Sequence, residues 1–219
     1  MPVRSDFQRA RNEREKSARR NEILDAADGL LLEAGNERFA ISALAARVGV
    51  SKSTIFLYFA NKEELLLALY ARSFLRIVTQ LGERLTPGMT GRAFCEAFVD
   101  CVMANPSMLL LRSQLASTIE RNVTPEVMVA TKTEILEYGT ALTNRVEAEL
   151  GLQSGYGIRM QMALINLISG AAQADTSPYL DMESLPEDIA DFFQVAETRK
   201  VFMSGAEFIF CGATGRPFD

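Results

Sequence analysis

The 219-residue sequence contains no histidine and only three cysteines. Histidine is the side chain most used as a general base and as a transition-metal ligand, so its absence disfavours the commonest catalytic and metal centres. Cys95, Cys101 and Cys211 are too few and too scattered for a disulfide framework. We therefore expect a protein that is not an enzyme and that holds no metal and no cofactor.

The sequence also lacks any run of 18 consecutive apolar residues, and its first 20 residues are polar and charged rather than signal-peptide-like. Hydrophobic residues nevertheless make up 48% of the chain, which is enough for a folded core. These features predict a soluble, cytoplasmic protein with no membrane partner.

No segment shows the alternating pattern of a strand, and the apolar residues recur at helical spacing, so the predicted fold class is all-α. A small helical head is expected to precede a larger helical-bundle body. The predicted divisions are a flexible basic arm (1–16), the head domain (17–62) and the body domain (63–219). Helices are expected at about 17–34, 41–48, 52–59, 62–82, 94–104, from 106, 125–150, 158–174 and from about 187 to a stop at Gly212.

Charge is unevenly distributed along the chain. Residues 1–62 hold 11 Lys and Arg against 8 Asp and Glu, whereas the remainder holds 12 against 20. A basic head on an acidic body is typical of a protein that binds phosphates at one end. Chance and a solvated tail produce the same pattern. The arm holds seven basic and three acidic residues within 1–20, consistent with either DNA contact or an exposed tail.

The segment from Leu44 to Ile55 has the pattern of two short helices that cross at a tight turn. Ala45 is small enough for close helix approach, and Gly49 suits a turn that requires a positive φ. Ser51 can cap the second helix, which places Val50 and Ile55 at the positions of a hydrophobic staple. This pattern predicts a helix-turn-helix.

Burial of Ile55 and Phe59 would leave a cation, hydroxyl groups and two aromatic rings on the outer face of the second helix. Such groups bind phosphates and base edges when a helix enters the major groove. Asn61 and Glu64 have the spacing of a reciprocal cap, which puts Lys62 at the start of the next helix, where its ammonium can address a phosphate.

Residues from about 20 to 69 resemble the DNA-binding domain of the TetR (AcrR-type) repressors. The matching segments are Ile23–Ala27, Leu44-Ala45, Gly49–Lys52, Thr54–Phe56 with Phe59, and Asn61–Leu65. The resemblance implies that residues 17–62 are a DNA-binding domain, with double-stranded operator DNA as the partner. It also implies that residues 63–219 are a helical ligand-binding and dimerisation domain, with an effector cavity and a dimerising final helix pair. The DNA-binding residues expected from the motif and the resemblance are Ser42, Ser51, Lys52, Ser53, Thr54, Phe56, Tyr58 and Lys62.

The body offers weaker signals for an effector site. Aromatic, sulfur-containing and polar residues share helix faces at spacings of three and four, and one asparagine interrupts the most apolar helix. The same positions suit ordinary core packing. The predicted residues for a small apolar organic effector are Phe94, Phe98, Cys101, Thr131, Glu134, Tyr138 and Asn166.

A slim helix end at Gly170, Ala171, Ala172 and Ala174 predicts close helix approach, and we expect a homodimer whose two heads read a pseudo-palindrome.

Two rival functions remain open at this stage. One is a helical small-molecule-binding protein or carboxylate enzyme with no DNA role, in which Glu134, Glu137, Glu147 and Glu149 would matter. The other is redox sensing through Cys95 and Cys101, although six positions apart on one helix they face different sides.

Overall fold

The computed structural model describes residues 3–175, 181–195 and 197–219, and within these ranges the regular secondary structure is entirely helical. The all-α fold class predicted from the sequence is thus confirmed. A π-helical turn covers Leu115–Ile119, and 3-10 turns cover Glu120–Asn122 and Met182–Ser184. The α-helices in these ranges are α1 (Val3–Arg38), α2 (Ile41–Val48), α3 (Lys52–Phe56), α4 (Lys62–Arg84), α5 (Gly91–Met103), α6 (Pro106–Arg112), α7 (Pro125–Leu150), α8 (Tyr156–Ala174), α9 (Glu187–Val195) and α10 (Thr198–Thr214).

Helix α1 begins 14 residues earlier than the sequence predicts, at Val3 rather than Ser17. Arg, Glu, Gln, Lys and Ala dominate this segment, and these residues favour helix even where no apolar stripe marks it. The expected break at Gly35 is present, because Gly35 adopts a φ of 70° and a non-helical ψ of 167°. The flexibility of the arm stays a prediction.

The chain divides into two compact units. The first unit comprises residues 1–72 and 110–131, and the second comprises residues 73–109 and 132–219. The first unit therefore contains the start of α4 and a returning segment, which the sequence-based division at residues 62 and 63 does not include. Helices α4 and α7 each contribute residues to both units.

In the first unit, α1, α2, α3 and the first turns of α4 enclose one apolar core. Arg72 of α4 binds α1, since its guanidinium donates to the Asp25 carboxylate at 2.8 Å and to the Leu24 carbonyl at 2.7 Å. The buried core residues include Ile23, Leu24, Ala27, Leu31, Phe39, Leu44, Ile55, Phe59, Leu65 and Leu69.

In the second unit, α10 packs mainly against α8 and also against α5. Phe98 of α5 and Phe202 of α10 stack with centroids 5.9 Å apart and planes 5° from parallel. A Cβ added to Gly91 would lie 2.5 Å from the Phe210 ring, which explains why α5 begins with glycine at this contact. Glu147 of α7 accepts hydrogen bonds from the backbone N–H groups of Gly155 and Gly157 at the start of α8.

One predicted helix end in the C-terminal region is wrong. Gly212 does not end the last helix, which continues to Thr214 and stops at Gly215 with a φ of 65°. A glycine within a helix and a glycine that ends one cannot be told apart by residue type alone.

Helix α4 is long and apolar enough to cross a membrane by length and composition. However, 61% of its most apolar window is buried inside the chain. Burial of that kind is typical of a core helix.

Candidate nucleic-acid interface

The turn between α2 and α3 has the geometry that the sequence predicts. Gly49 ends α2 in the left-handed region with a φ of 74°, and its N–H donates to the carbonyl of Ala46 at 3.2 Å. The next N–H, of Val50, donates to the Ala45 carbonyl at 2.9 Å. Ala45 is buried, and Leu44 and Ile55 pack in the same core. An L-residue with a side chain would be strained at Gly49, so the glycine fixes the direction in which α3 leaves the turn.

Three hydroxyl groups form one cluster at the start of α3. Ser51 is the N-cap, and its Oγ accepts from the backbone N–H of Thr54 at 3.2 Å. The same Oγ lies 2.7 Å from the Ser53 Oγ and 2.9 Å from the Thr54 Oγ1. Ser51 and Ser53 are exposed, whereas Thr54 is half-buried. The cluster therefore stabilises the first turn and presents hydroxyl groups to solvent.

Helix α3 buries one side and exposes the other. Ile55 is buried in the head core, while Lys52 and Ser53 are exposed. Phe56 is 46% exposed and Leu57, the C-cap residue, is 77% exposed. Leu57 was absent from the sequence-based site; the missed signal was its position four residues after Ser53, which places it on the same outward face. Large apolar side chains therefore accompany the polar groups on this face.

The next helix begins with a reciprocal cap, as the sequence predicts. The Glu64 N–H donates to the Asn61 Oδ1 at 2.8 Å, and the Glu64 carboxylate accepts from the N–H of Ala60 at 2.9 Å. Lys62 follows as the first residue of α4, and its ammonium lies 5.5 Å from the centroid of the buried Phe39 ring. This contact holds the Lys62 stem against the head while the residue remains partly exposed.

Tyr58 faces the N-terminal part of α1. An open hollow of about 590 Å³ lies between the half-buried Tyr58 and the exposed residues of α1. Arg20 of the same helix lies over the Phe59 ring at 4.9 Å. Ser42, the predicted contact on α2, is exposed. The residues that line the hollow with Tyr58 are Asn12, Glu15, Lys16, Ala18, Arg19 and Glu22.

Arg47 of α2 is a cation of the head whose charge is paired within the head. Its guanidinium donates to both carboxylate oxygens of Glu33 at 2.6 and 2.7 Å. These hydrogen bonds lower the pKa of Glu33, so the pair stays charged near neutrality. Arg47 therefore fastens α2 to α1 and positions the helix-turn-helix.

Three of the predicted effector residues are core residues in this structure. Phe94, Phe98 and Cys101 of α5 are buried. The Phe94 and Phe98 centroids lie 6.3 Å apart, and the stack of Phe98 on Phe202 leaves no room for a ligand between those rings. Core packing accounts for their helical spacing, and their part in an effector site stays a prediction.

The other predicted effector residues lie nearer the surface. On α7, Thr131 is half-buried, Glu134 is exposed and Tyr138 is 51% exposed. Asn166 of α8 is exposed, although it interrupts the most apolar of the predicted helices. It lies on the side of α8 that also carries Ile158 and Met162, both exposed. The apolar composition of α8 therefore does not mean that every side of this helix is buried.

Two family models match consecutive parts of the chain. Residues 23–69 match the model described as bacterial regulatory proteins, tetR family. Residues 71–181, just over half of the chain, match the model described as tetracyclin repressor-like, C-terminal domain. The matches include both the corner described above and much of the body.

Known proteins support the same relationship. A TetR transcriptional regulator from Streptomyces coelicolor has 26% identity and a TM-score of 0.54, covering 90% of this chain and 98% of that one. A protein of unknown function from Rhodococcus sp. RHA1 has the same fold at 18% identity and a TM-score of 0.56, covering 89% and 95%. A stretch of 79 residues, 36% of this chain, is 29% identical to the fatty acid metabolism regulator protein of Bacillus subtilis (strain 168). That match spans only 41% of the relative's length.

Proposed function

The chain belongs to the tetR family of bacterial regulatory proteins, and from that premise we propose that it is a cytoplasmic repressor. It binds a pseudo-palindromic operator as a homodimer and releases it when a small apolar organic effector binds. The observation that carries the proposal is the outer face of α3, where a lysine, a hydroxyl cluster and exposed apolar side chains stand on a rigid, capped corner.

The residues of the corner divide into two roles in this proposal. Lys52 and Lys62 supply cations for phosphates, with Ser42 and Ser51 as neutral donors at the edge of the contact. Ser53, Thr54, Phe56 and Tyr58 lie on or beside the face of α3 that enters the major groove. The surplus of basic residues in 1–62 supports this orientation, because the acidic remainder of the chain would be repelled by DNA.

The homodimer is supported by an uncovered apolar face on the helices α8 and α10. Phe208 of α10 is 79% exposed, and Ile158 and Met162 of α8 are exposed as well. Gly170 and Gly212 stand inside these helices, yet a Cβ at either would meet nothing within 4 Å. A glycine inside a helix costs about 1 kcal/mol of stability relative to alanine. Close approach of a second copy of the chain would explain why glycine is present at both positions despite this cost.

The proposed release mechanism uses helices that contribute to both units. Effector binding in the second unit would shift α4 or α7 and so change the separation of the two α3 helices. For dimers of this kind the two helices must enter successive major grooves roughly 34–36 Å apart. Within the first unit, the Asn61 amide donates to the Asn122 carbonyl at 2.8 Å, which links the start of α4 to the turn before α7.

Neither rival function is favoured by the geometry. The Glu147 carboxylate is engaged at the start of α8, where it accepts two backbone hydrogen bonds, rather than in an acidic cluster. Cys95 and Cys101 are buried, and burial raises the pKa of both thiols, which makes the reactive thiolate scarce. We therefore propose a regulator without catalytic activity and without a thiol switch.

The test of the proposal is selection of bound fragments from a randomised duplex library by the full-length protein, followed by titration of the enriched sequences. We expect inverted repeats whose half-sites are centred one or two helical turns apart. Lys52→Ala should weaken binding, whereas Lys200→Ala, a matched change of an exposed lysine on α10, should not. Failure to enrich any sequence would refute the operator-binding function.

The effector part of the proposal has its own test. Apolar probes, among them fatty acids because of the name of the Bacillus subtilis relative, are titrated into the preformed operator complex. An effector should release DNA while the protein stays dimeric. Release accompanied by dissociation or unfolding of the dimer would contradict the proposed mechanism.

A further inference from the structure

The proposed recognition helix carries only one of the side chains that proteins use most to identify bases. From Ser51 to Tyr58 there is no Arg, Asn, Gln, Asp or Glu. Arg or Lys reads guanine, Asn or Gln reads adenine, and the usual acceptor for cytosine is Asp or Glu, so Lys52 alone could make one of these pairs. Lys52 is the one charged side chain in this segment. Most of the discrimination must therefore come from other groups.

The hydroxyl groups of α3 are poor candidates for that task. The Ser51 hydroxyl is hydrogen-bonded to the hydroxyl groups of Ser53 and Thr54, and its Oγ also accepts from the Thr54 backbone. A hydroxyl both donates and accepts, so it pairs with any base edge that offers a polar group. The cluster can hold the helix at the DNA without strongly preferring one base pair.

Apart from Lys52 and the half-buried Tyr58, the side chains that remain on this face are apolar. Leu57 is 77% exposed and Phe56 is 46% exposed, whereas Ile55, the residue before Phe56, is buried in the core of the head. At 100° per residue, Leu57 shares the outward direction of Ser53, and Phe56 lies beside it. Lys52 and the first residue of α4, Lys62, lie close in the sequence and supply the positive charge that DNA requires.

We propose that Leu57 and Phe56 read the C5-methyl groups of thymine, so that each operator half-site carries A·T pairs where these side chains meet the major groove. The thymine methyl is the apolar feature that this groove displays, and its absence distinguishes the other three bases. The inference rests on the proposed function, since it requires α3 to enter the major groove of an operator.

The test replaces single thymines by uracil in the operator selected by the full-length protein. This change removes one methyl group and leaves the hydrogen-bonding edge intact, and it does not touch the protein. At one or two positions in each half-site, we expect uracil to weaken binding about fourfold, the factor that corresponds to burial of one methyl-sized group. Uracil elsewhere should have no effect.

The variants Leu57→Ala and Phe56→Ala then show which side chain contacts which thymine methyl group. Each variant should weaken binding to the thymine operator and lose most of its sensitivity to uracil at one position, because the two changes remove the same contact. Leu136→Ala serves as the control, since Leu136 is an exposed leucine on α7. Its binding and its uracil sensitivity should equal those of the wild type.

The outcomes separate this inference from the function on which it rests. Tight, sequence-specific binding that is indifferent to every uracil substitution would overturn methyl reading and leave the repressor proposal in place. Uracil sensitivity that persists unchanged in both alanine variants would overturn the assignment to Leu57 and Phe56. Absence of any selected operator would overturn the proposed function, and this inference with it.

Discussion

Side chains of the same type have different roles according to what surrounds them. Arg47 is held by Glu33 in a two-point hydrogen bond, so it positions α2, whereas Lys52 is exposed on the outer face of the corner. The sequence indicates both as basic residues of one motif. Only the position of Glu33 on α1 shows which of them is already engaged, and that pairing joins residues 14 apart.

The cysteines give a residue-scale prediction. Burial raises the pKa of Cys95 to about 12 and also raises that of Cys101. Because the charged thiolate is the disfavoured form, both thiols stay protonated at neutral and mildly alkaline pH. Maleimide at pH 8 should therefore label at most Cys211 in the native protein, as mass spectrometry of tryptic peptides would show.

Labelling of all three cysteines after unfolding is the control for this experiment. Modification of Cys95 or Cys101 in the folded protein, with loss of DNA binding, would instead favour thiol-based sensing.

At the scale of elements, the sequence predicts helices best where the signals are local. The bounds of α2 follow from its apolar pattern and Gly49, and the cap of α4 follows from Asn61 and Glu64. By contrast, α3 ends at Phe56 rather than at the predicted Phe59, because the chain must turn to bury Phe59 and start α4. That constraint arises from tertiary packing, which periodicity does not encode.

The N-cap of α3 allows a prediction about this element. Ser51→Ala removes the hydrogen bond to the Thr54 N–H and the centre of the hydroxyl cluster. We expect a loss of about 1 kcal/mol in the free energy of unfolding, measured by urea denaturation. Ser53→Ala is the control, since Ser53 takes part in the cluster without capping the helix. If both variants lost the same free energy of unfolding, the cap hydrogen bond would add no stability beyond that of the hydroxyl cluster.

At the scale of the whole molecule, the sequence predicts the head more completely than the body. The head follows from a contiguous motif whose residues pack on one another. In the body, the stack of Phe98 on Phe202 joins residues more than 100 positions apart. The exposed face of α8 likewise depends on which side of the helix α10 covers. Helical spacing does not encode such long-range choices, so the sequence alone does not show which residues of the body lie in the core and which are exposed.

The dimer gives a prediction at this scale. Phe208→Glu places a charge on the proposed interface, where burial without a partner is costly. We expect sedimentation velocity to show a dimer for the wild type and a monomer for this variant, with loss of tight binding to the two half-sites. Leu136→Glu, which changes an exposed leucine of α7, should remain dimeric. A monomeric wild type, or a dimeric Phe208→Glu protein, would refute this interface.

The central claim is that the head binds DNA through the outer face of α3 and the start of α4. Its most direct test is a salt-dependent titration of the selected operator with the wild type, Lys52→Ala and Lys62→Ala. If each lysine contacts a phosphate, each variant should bind more weakly. The plot of log affinity against log salt should also become less steep, by about one unit of slope per phosphate contact that is lost. Unchanged affinity and an unchanged slope in both variants would contradict the claim, because DNA would then be bound elsewhere on the protein.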